Sequence, residues 1–281
     1  MTIGKTRPLR DVRGVLNRLA VGEFAHGRVP APPDLADHIE HFWRVRWNLD
    51  GLPAQMQETL PHPNVHLVVE PGLADFWGVH PGRWTRLLDG HSQAFGVKFR
   101  PGGFRGWLGR PVSTLVNQSL PASALLGDAA SRLADVLDCP DDEEAAALAA
   151  ALLRPHLPPV DEPALLAGHI VDSAMADRDV HTAQQLADRF GMPLRRLQRL
   201  FHQYVGVGPK WVINRYRMHE AVARVQRGEA MSWAGLAQEL GYFDQAHFIA
   251  DFRQLTGRTP GEYARMHEAA TTGQVSRPPA R

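Results

Sequence analysis

Between Leu194 and Tyr204 the sequence reads LRRLQRLFHQY. A helical rotation of about 100° per residue places Arg195, Arg199 and His202 on the side away from Leu197, Leu200, Phe201 and Tyr204. Arg196 and Gln198 flank that basic side. Arginine can grip guanine O6 and N7 with two hydrogen bonds, glutamine can do the same for adenine, and every cation can meet a phosphate. The chemistry on offer is therefore reading the edges of bases. A solvated basic helix would show the same residues, so the elements around it must decide.

Upstream lies LADRFGM, which ends at Gly191-Met192-Pro193. Glycine suits the left-handed conformation that closes a helix, and proline suits the start of the next. The stretch thus predicts a short helix, a tight turn and a second helix with a basic outer face, a helix-turn-helix. The pattern then returns. LAQELGYFDQAHFIADF repeats Leu186-Ala187 and Phe190-Gly191 as Leu236-Ala237 and Leu240-Gly241, and Leu197 and Phe201 as Phe248 and Phe252. A repeat of about fifty residues is not what core packing alone demands. Between the copies, PKWVINRYRMHEAVARVQRG predicts one helix over Pro209–Arg227, with Pro209 at its start and Gly228 at its end. At 1.5 Å per residue it spans roughly 28 Å, enough to set two recognition helices about one turn of DNA apart.

From about His181 to Tyr263, just under a third of the chain, the sequence resembles the DNA-binding domain of AraC/XylS-type bacterial transcription regulators. The matching motifs are LADRFGM with LQRLF, VGVGPKWVINRYRMHEA, and LGYFDQAHFIADFRQLTGRTPGEY. The resemblance implies two helix-turn-helix units, promoter binding and control by a separate domain. Arg195, Gln198 and Arg199 occupy positions that read bases in that family. The second unit departs from the pattern, with Ala250 where arginine is common. Its groove-facing residues would be Ala246, Ala250 and Arg253, joined by Gln245 and His247 at the helix start. Residues 185–227 hold nine Lys/Arg and two Asp/Glu, against three and six over 228–268, so the first unit should dominate phosphate attraction.

A formal net charge of +1 over 281 residues conceals this segregation, since residues 128–163 carry nine acids and two bases. One cysteine, Cys139, excludes a disulfide framework and a cysteine-rich zinc site, and fits a reducing cytosol. Its acidic neighbours Asp138, Asp141 and Asp142 oppose thiolate formation and so a methyl-acceptor role of the kind some repair proteins with an AraC-like module possess. No apolar run has the length of a signal peptide or a membrane span, and a cytoplasmic protein is expected.

In the N-terminal half, HFWRVRWNL alternates, and VHLVVEP, DFWGVH, RWTRLL and AFGVKFRP follow as short runs between turn signals. They predict a small antiparallel barrel or sandwich. The GVKFRPGG stretch resembles a poorly characterised sensor-like domain found ahead of AraC-type DNA-binding domains, distantly akin to cupin-like barrels. Segments 123–137 and 141–157 read as helices. His62, His66 and Glu70 have even spacing, yet Pro63 interrupts them, and two histidines four apart on a strand lie roughly 13 Å from each other, too far for one ion. Trp43, Trp47 and Trp77, with His62 and His66, are the candidates for lining an effector cavity; an aromatic core would look the same.

The expected fold is α+β. It comprises a β-rich, barrel-like (cupin-like) sensor domain at 10–120, a helical connector at 121–175, an all-α double helix-turn-helix domain at 176–267 and a disordered tail at 268–281. The expected function is a DNA-binding transcription regulator, with promoter DNA and RNA polymerase as partners. A small-molecule effector and a second copy of the chain are further candidate partners. No cofactor, metal, membrane partner or catalytic residue is expected. The competing reading is an enzyme or repair protein that uses the C-terminal domain to dock on DNA.

Overall fold

The computed structural model describes residues 14–17, 21–229 and 232–275, with side chains as far as 269. Alternation in the N-terminal half forms strands as the sequence predicts: β1 (Glu23–Pro30), β2 (Ile39–Asn48), β3 (Gln55–Thr59), β4 (His66–Glu70), β5 (Leu73–Trp77), β6 (Trp84–Leu88), β7 (His91–Phe99) and β8 (Ser119–Pro121). Six of them make one antiparallel sheet in the order β1-β2-β7-β4-β5-β8, and β3 pairs with β6. The expected barrel is therefore not closed among the described residues. The β3–β6 pair is tied to the large sheet by side chains: Leu88 joins Trp47 and Leu49 in a small core, and the carboxylate of Glu70 on β4 takes both terminal nitrogens of Arg86.

One face of the large sheet is the main core. Phe42, Val97, Leu67 and Phe76 lie opposite one another across four strands and are fully or almost fully buried. Helices α1 (Arg105–Leu108), α2 (Ser123–Leu126) and α3 (Asp142–Leu153) follow in sequence. Side chains of α3 and of a 3-10 stretch over Gly127–Leu137 cover this face. That 3-10 stretch stands where one continuous α-helix over 123–137 was expected; Gly127, at φ +54°, breaks the helix after Leu126. Asp141 caps α3, accepting from the Glu144 amide at 2.8 Å.

The remaining helices are α4 (Glu162–Ala176), α5 (Ala183–Arg189), α6 (Leu194–Tyr204), α7 (Pro209–Gln226), α8 (Trp233–Glu239), α9 (Gln245–Thr256) and α10 (Pro260–Val275). They divide between two cores. Ile170 and Val171 of α4, Leu186, Leu197, Phe201 and Val212 make the first. Met218, Val222, Leu236, Phe248, Phe252 and Tyr263 make the second. The segment 121–175 is thus shared: its first half covers the sheet, and α4 completes the core of the first helix-turn-helix. Helix α10 continues to Val275, into the stretch expected to be disordered; residues 276–281 lie outside the described residues.

The N-terminal half contributes to both helical cores, Val79 to the first and Leu16 and Leu60 to the second. Polar contacts reinforce this docking. Glu58 of β3 accepts from Arg83 at 2.6 Å and from Arg258, beyond α9, at 2.7 Å. Tyr263 donates to the Leu16 carbonyl at 2.5 Å, and the Gly102 amide donates to the Tyr204 carbonyl at 3.1 Å.

Candidate nucleic-acid interface

The turn between α5 and α6 is built as its residues suggest. Gly191 takes φ +60° and its counterpart Gly241, between α8 and α9, takes φ +70°. A side chain is strained in that region, so glycine recurs at the same place in both copies. A capping box fixes the start of α5, with Thr182 accepting from the Gln185 amide at 3.1 Å and Gln185 accepting from the Thr182 amide at 2.9 Å. Helix α7, eighteen residues long, connects the two units and is itself part of both cores.

With Leu197 and Phe201 buried, α6 presents Arg195, Arg196, Gln198 and Arg199 to solvent. None of these three arginines forms an ion pair among the described residues, whereas Arg178 and Arg189, off the recognition helix, pair with Glu220 and Asp177. Uncommitted guanidinium groups on a convex helix are free to meet an external anion. His202, grouped with them by sequence, is also exposed further along α6, with its Nε2 within 2.9 Å of the Ser113 hydroxyl.

In the second unit Gln245, Ala246, His247, Ala250 and Arg253 are all exposed, opposite the buried Phe248 and Phe252. The acids around them are engaged internally. Asp244 caps α9, accepting from the His247 amide at 2.7 Å; Glu239 pairs with Arg224 at 2.6 Å; Asp251 lies 3.8 Å from His247.

The five aromatic and histidine candidates of the N-terminal half separate. On the sheet face away from the core, His41, Lys98, His66 and Trp77 lie opposite one another across β2, β7, β4 and β5. Trp43 of the next row donates to His66 Nδ1 at 3.2 Å, and its ring crosses β7 at Gly96, where a Cβ would sit 2.1 Å from the indole. Trp43, His66 and Trp77 therefore share one surface. Trp47 is buried in the small core with Leu88, and His62 leaves the strand to stack on His219 of α7, ring centroids 4.1 Å apart. Pro63 explains the separation, since it ends the run before β4 begins at His66.

Sequence reading missed Lys98, Glu40, His26 and His41 on this face. The alternation of β7 was the available signal: with Val97 and Phe99 in the core, Lys98 must point the other way. Lys98 Nζ lies 2.9 Å from Glu40, and burial lowers its pKa against the pull of that carboxylate. Burial also works to raise the Glu40 carboxyl, but His41 and Lys98 outweigh it and hold the group at about 2. Burial, aided by Lys98, pushes His66 down to about 3; burial, aided by Arg28, pushes His26 down to about 4. Asp172 of α4 is raised by burial and sits within electrostatic reach of Arg100, Glu40 and Lys98, linking this face to the helical domain. The Cys139 thiol is pushed up by burial and by its acidic neighbours against the opposing Arg44.

Two segments of the chain match known families. Residues 27–121 match the family described as "Domain of unknown function (DUF6597)", and residues 186–266 match the family described as "Helix-turn-helix domain". The HTH-type transcriptional activator RhaS of Pectobacterium carotovorum subsp. carotovorum (strain PC1) is 39% identical over 75 residues, 27% of this chain and 26% of that protein. RhaS of Escherichia fergusonii is 32% identical over 87 residues, 31% of each chain. The matched segment thus spans less than a third of these relatives. Among solved structures, an AraC-type transcriptional regulator from Chromobacterium violaceum aligns with a TM-score of 0.32 and 24% identity, over 35% of this chain and 88% of that one. ToxT from Vibrio cholerae aligns with 0.38 and 12%, over 87% and 98%; neither score reaches the level that implies a shared fold. Over 186–266 the chain is thus similar to helix-turn-helix domains, including a segment of the transcriptional activator RhaS, and over 27–121 it is similar to a domain of unknown function.

Proposed function

We propose that this protein regulates transcription by binding promoter DNA through two helix-turn-helix units set in successive major grooves. The observation that carries this reading is the pair of solvent-facing helices, α6 and α9, held by the single helix α7, with uncommitted arginines on the first. Arg195, Gln198 and Arg199 read bases; Arg196 positions the helix on phosphate, and Gln245, His247 and Arg253 contribute from the second unit. The DNA-binding domain extends over 176–267, the N-terminal domain over 10–120, RNA polymerase is the downstream partner, and the protein acts in the cytoplasm.

Control is proposed to enter at the sheet face of Trp43, His66 and Trp77. A ligand there would meet Lys98 and Glu40, and Asp172 would carry the change in charge to α4.

Arg199→Ala tests the base-reading role. Truncation should weaken specific binding by about 1–3 kcal/mol and relax preference at one base position, while nonspecific binding falls far less. Titration of operator and scrambled duplexes at fixed salt reads both quantities. A folded variant with unchanged affinity and unchanged base preference would remove Arg199 from the interface.

A further inference from the structure

Helix α9 carries one exposed arginine, Arg253, where α6 carries three. Burial of Phe248, Phe252 and Thr256 leaves Ala246 and Ala250 on its outer side. Directly before the Asp244 cap stands Phe243, 96% exposed. A large apolar side chain so completely in water has nothing to gain from the fold of its own chain. It stands at the N-terminal end of the second recognition helix, the end that meets base edges when such a helix enters a major groove. The nearby acids are committed to the Asp244 cap, to Arg224 and to His247, so the negative charge beside Phe243 is engaged. In the major groove of B-DNA the apolar group available to such a surface is the 5-methyl of thymine.

We propose that Phe243, with Ala246 and Ala250, reads thymine methyl groups in the second half-site. The two units would then differ in chemistry, the first reading by charged and amide donors and the second adding apolar contact to the polar contacts of Gln245, His247 and Arg253. This inference rests on the DNA-binding reading above. A protein partner is the competing occupant for Phe243, and the test separates the two.

The full-length protein is used to select an operator from random-sequence duplexes. Each thymine of the second half-site is then replaced in turn by deoxyuridine, which removes the methyl and keeps base pairing. At one or two positions uracil should weaken wild-type binding roughly fourfold, the effect of losing burial of one methyl-sized group. Phe243→Ala should bind the thymine operator more weakly by a similar factor and become indifferent to uracil at one of those positions, whereas Phe243→Leu should keep part of both effects. Removal of so exposed a side chain leaves the packing of α9 intact.

The proposal is overturned if no uracil substitution weakens the wild type, if the selected half-site contains no thymine, or if Phe243→Ala binds like the wild type. Loss of binding in Phe243→Ala with the uracil penalties fully retained would also overturn it and favour a different contact for the ring. Failure to bind any duplex at all would instead defeat the DNA-binding reading, which keeps the two failures distinct.

Discussion

Glu58→Ala is expected to lower the stability of the folded chain by roughly 2–4 kcal/mol and to loosen the N-terminal half from the second helix-turn-helix unit. The Glu58 side chain is 8% exposed and sits between Arg83, at 2.6 Å, and Arg258, at 2.7 Å. Its removal leaves two guanidinium groups near each other without their shared anion. Loss of one partner from a buried pair costs about 3–5 kcal/mol. Both arginines are about a third exposed, so water replaces part of what is lost and the figure falls below the top of that range. Arg83 also donates to the Thr256 carbonyl at 3.2 Å, so the damage should reach the end of α9. Glu58→Gln keeps the shape and one acceptor and should do less harm. Urea denaturation measures the loss, and a change under 0.5 kcal/mol for Glu58→Ala would show that this contact does not hold the halves together.

Acidification from pH 6.5 towards 4 is expected to destabilise the N-terminal domain steeply. Burial holds His66 at about 3 and His26 at about 4 in the folded chain, against 6.5 unfolded. Both folded values are depressed, so between 6.5 and the folded value the unfolded chain binds the extra proton. Stability is therefore full above 6.5 and declines as pH falls, approaching about 1.4 kcal/mol per pH unit for each histidine. Glu40, held at about 2, adds stability that is present above its unfolded value of 4.5 and is lost only as pH falls towards 2. His66→Gln retains an acceptor for Trp43 and should flatten the profile by one histidine's share. Denaturation at pH 7, 6 and 5 reads the slope. Identical slopes for wild type and variant would mean that His66 is solvated in the folded state.

The sequence made the helical half legible because its signals are local. Gly191 and Gly241 mark the turns, Pro209 and Gly228 bound α7, and the apolar pairs of α6 and α9 recur fifty residues apart. The strands were legible as strands through alternation, but their pairing was not. Nothing within the RWTRLL run tells it to pair with β3 rather than extend the large sheet. The contacts between the halves were least visible. Glu58 and Arg258 stand 200 residues apart, and His62 meets His219 through folding alone; no periodicity encodes such partners. Ser113 shows the same limit, since only the fold brings it to His202. Lys98 was readable from the alternation of β7, although its partner Glu40, on another strand, was not.

A base-by-base substitution scan of a selected operator, bound by the full-length protein at fixed salt, bears most directly on the claim that α6 and α9 read DNA as unequal partners. Two half-sites about ten base pairs apart are expected. Substitutions in the half-site under Arg195, Gln198 and Arg199 should cost about 1–3 kcal/mol each, with shallower penalties in the half-site under Ala246 and Ala250. Equal penalties in both half-sites would contradict the asymmetry and assign base reading to Gln245, His247 and Arg253. Sequence-independent binding throughout would contradict the reading of α6 as a recognition helix.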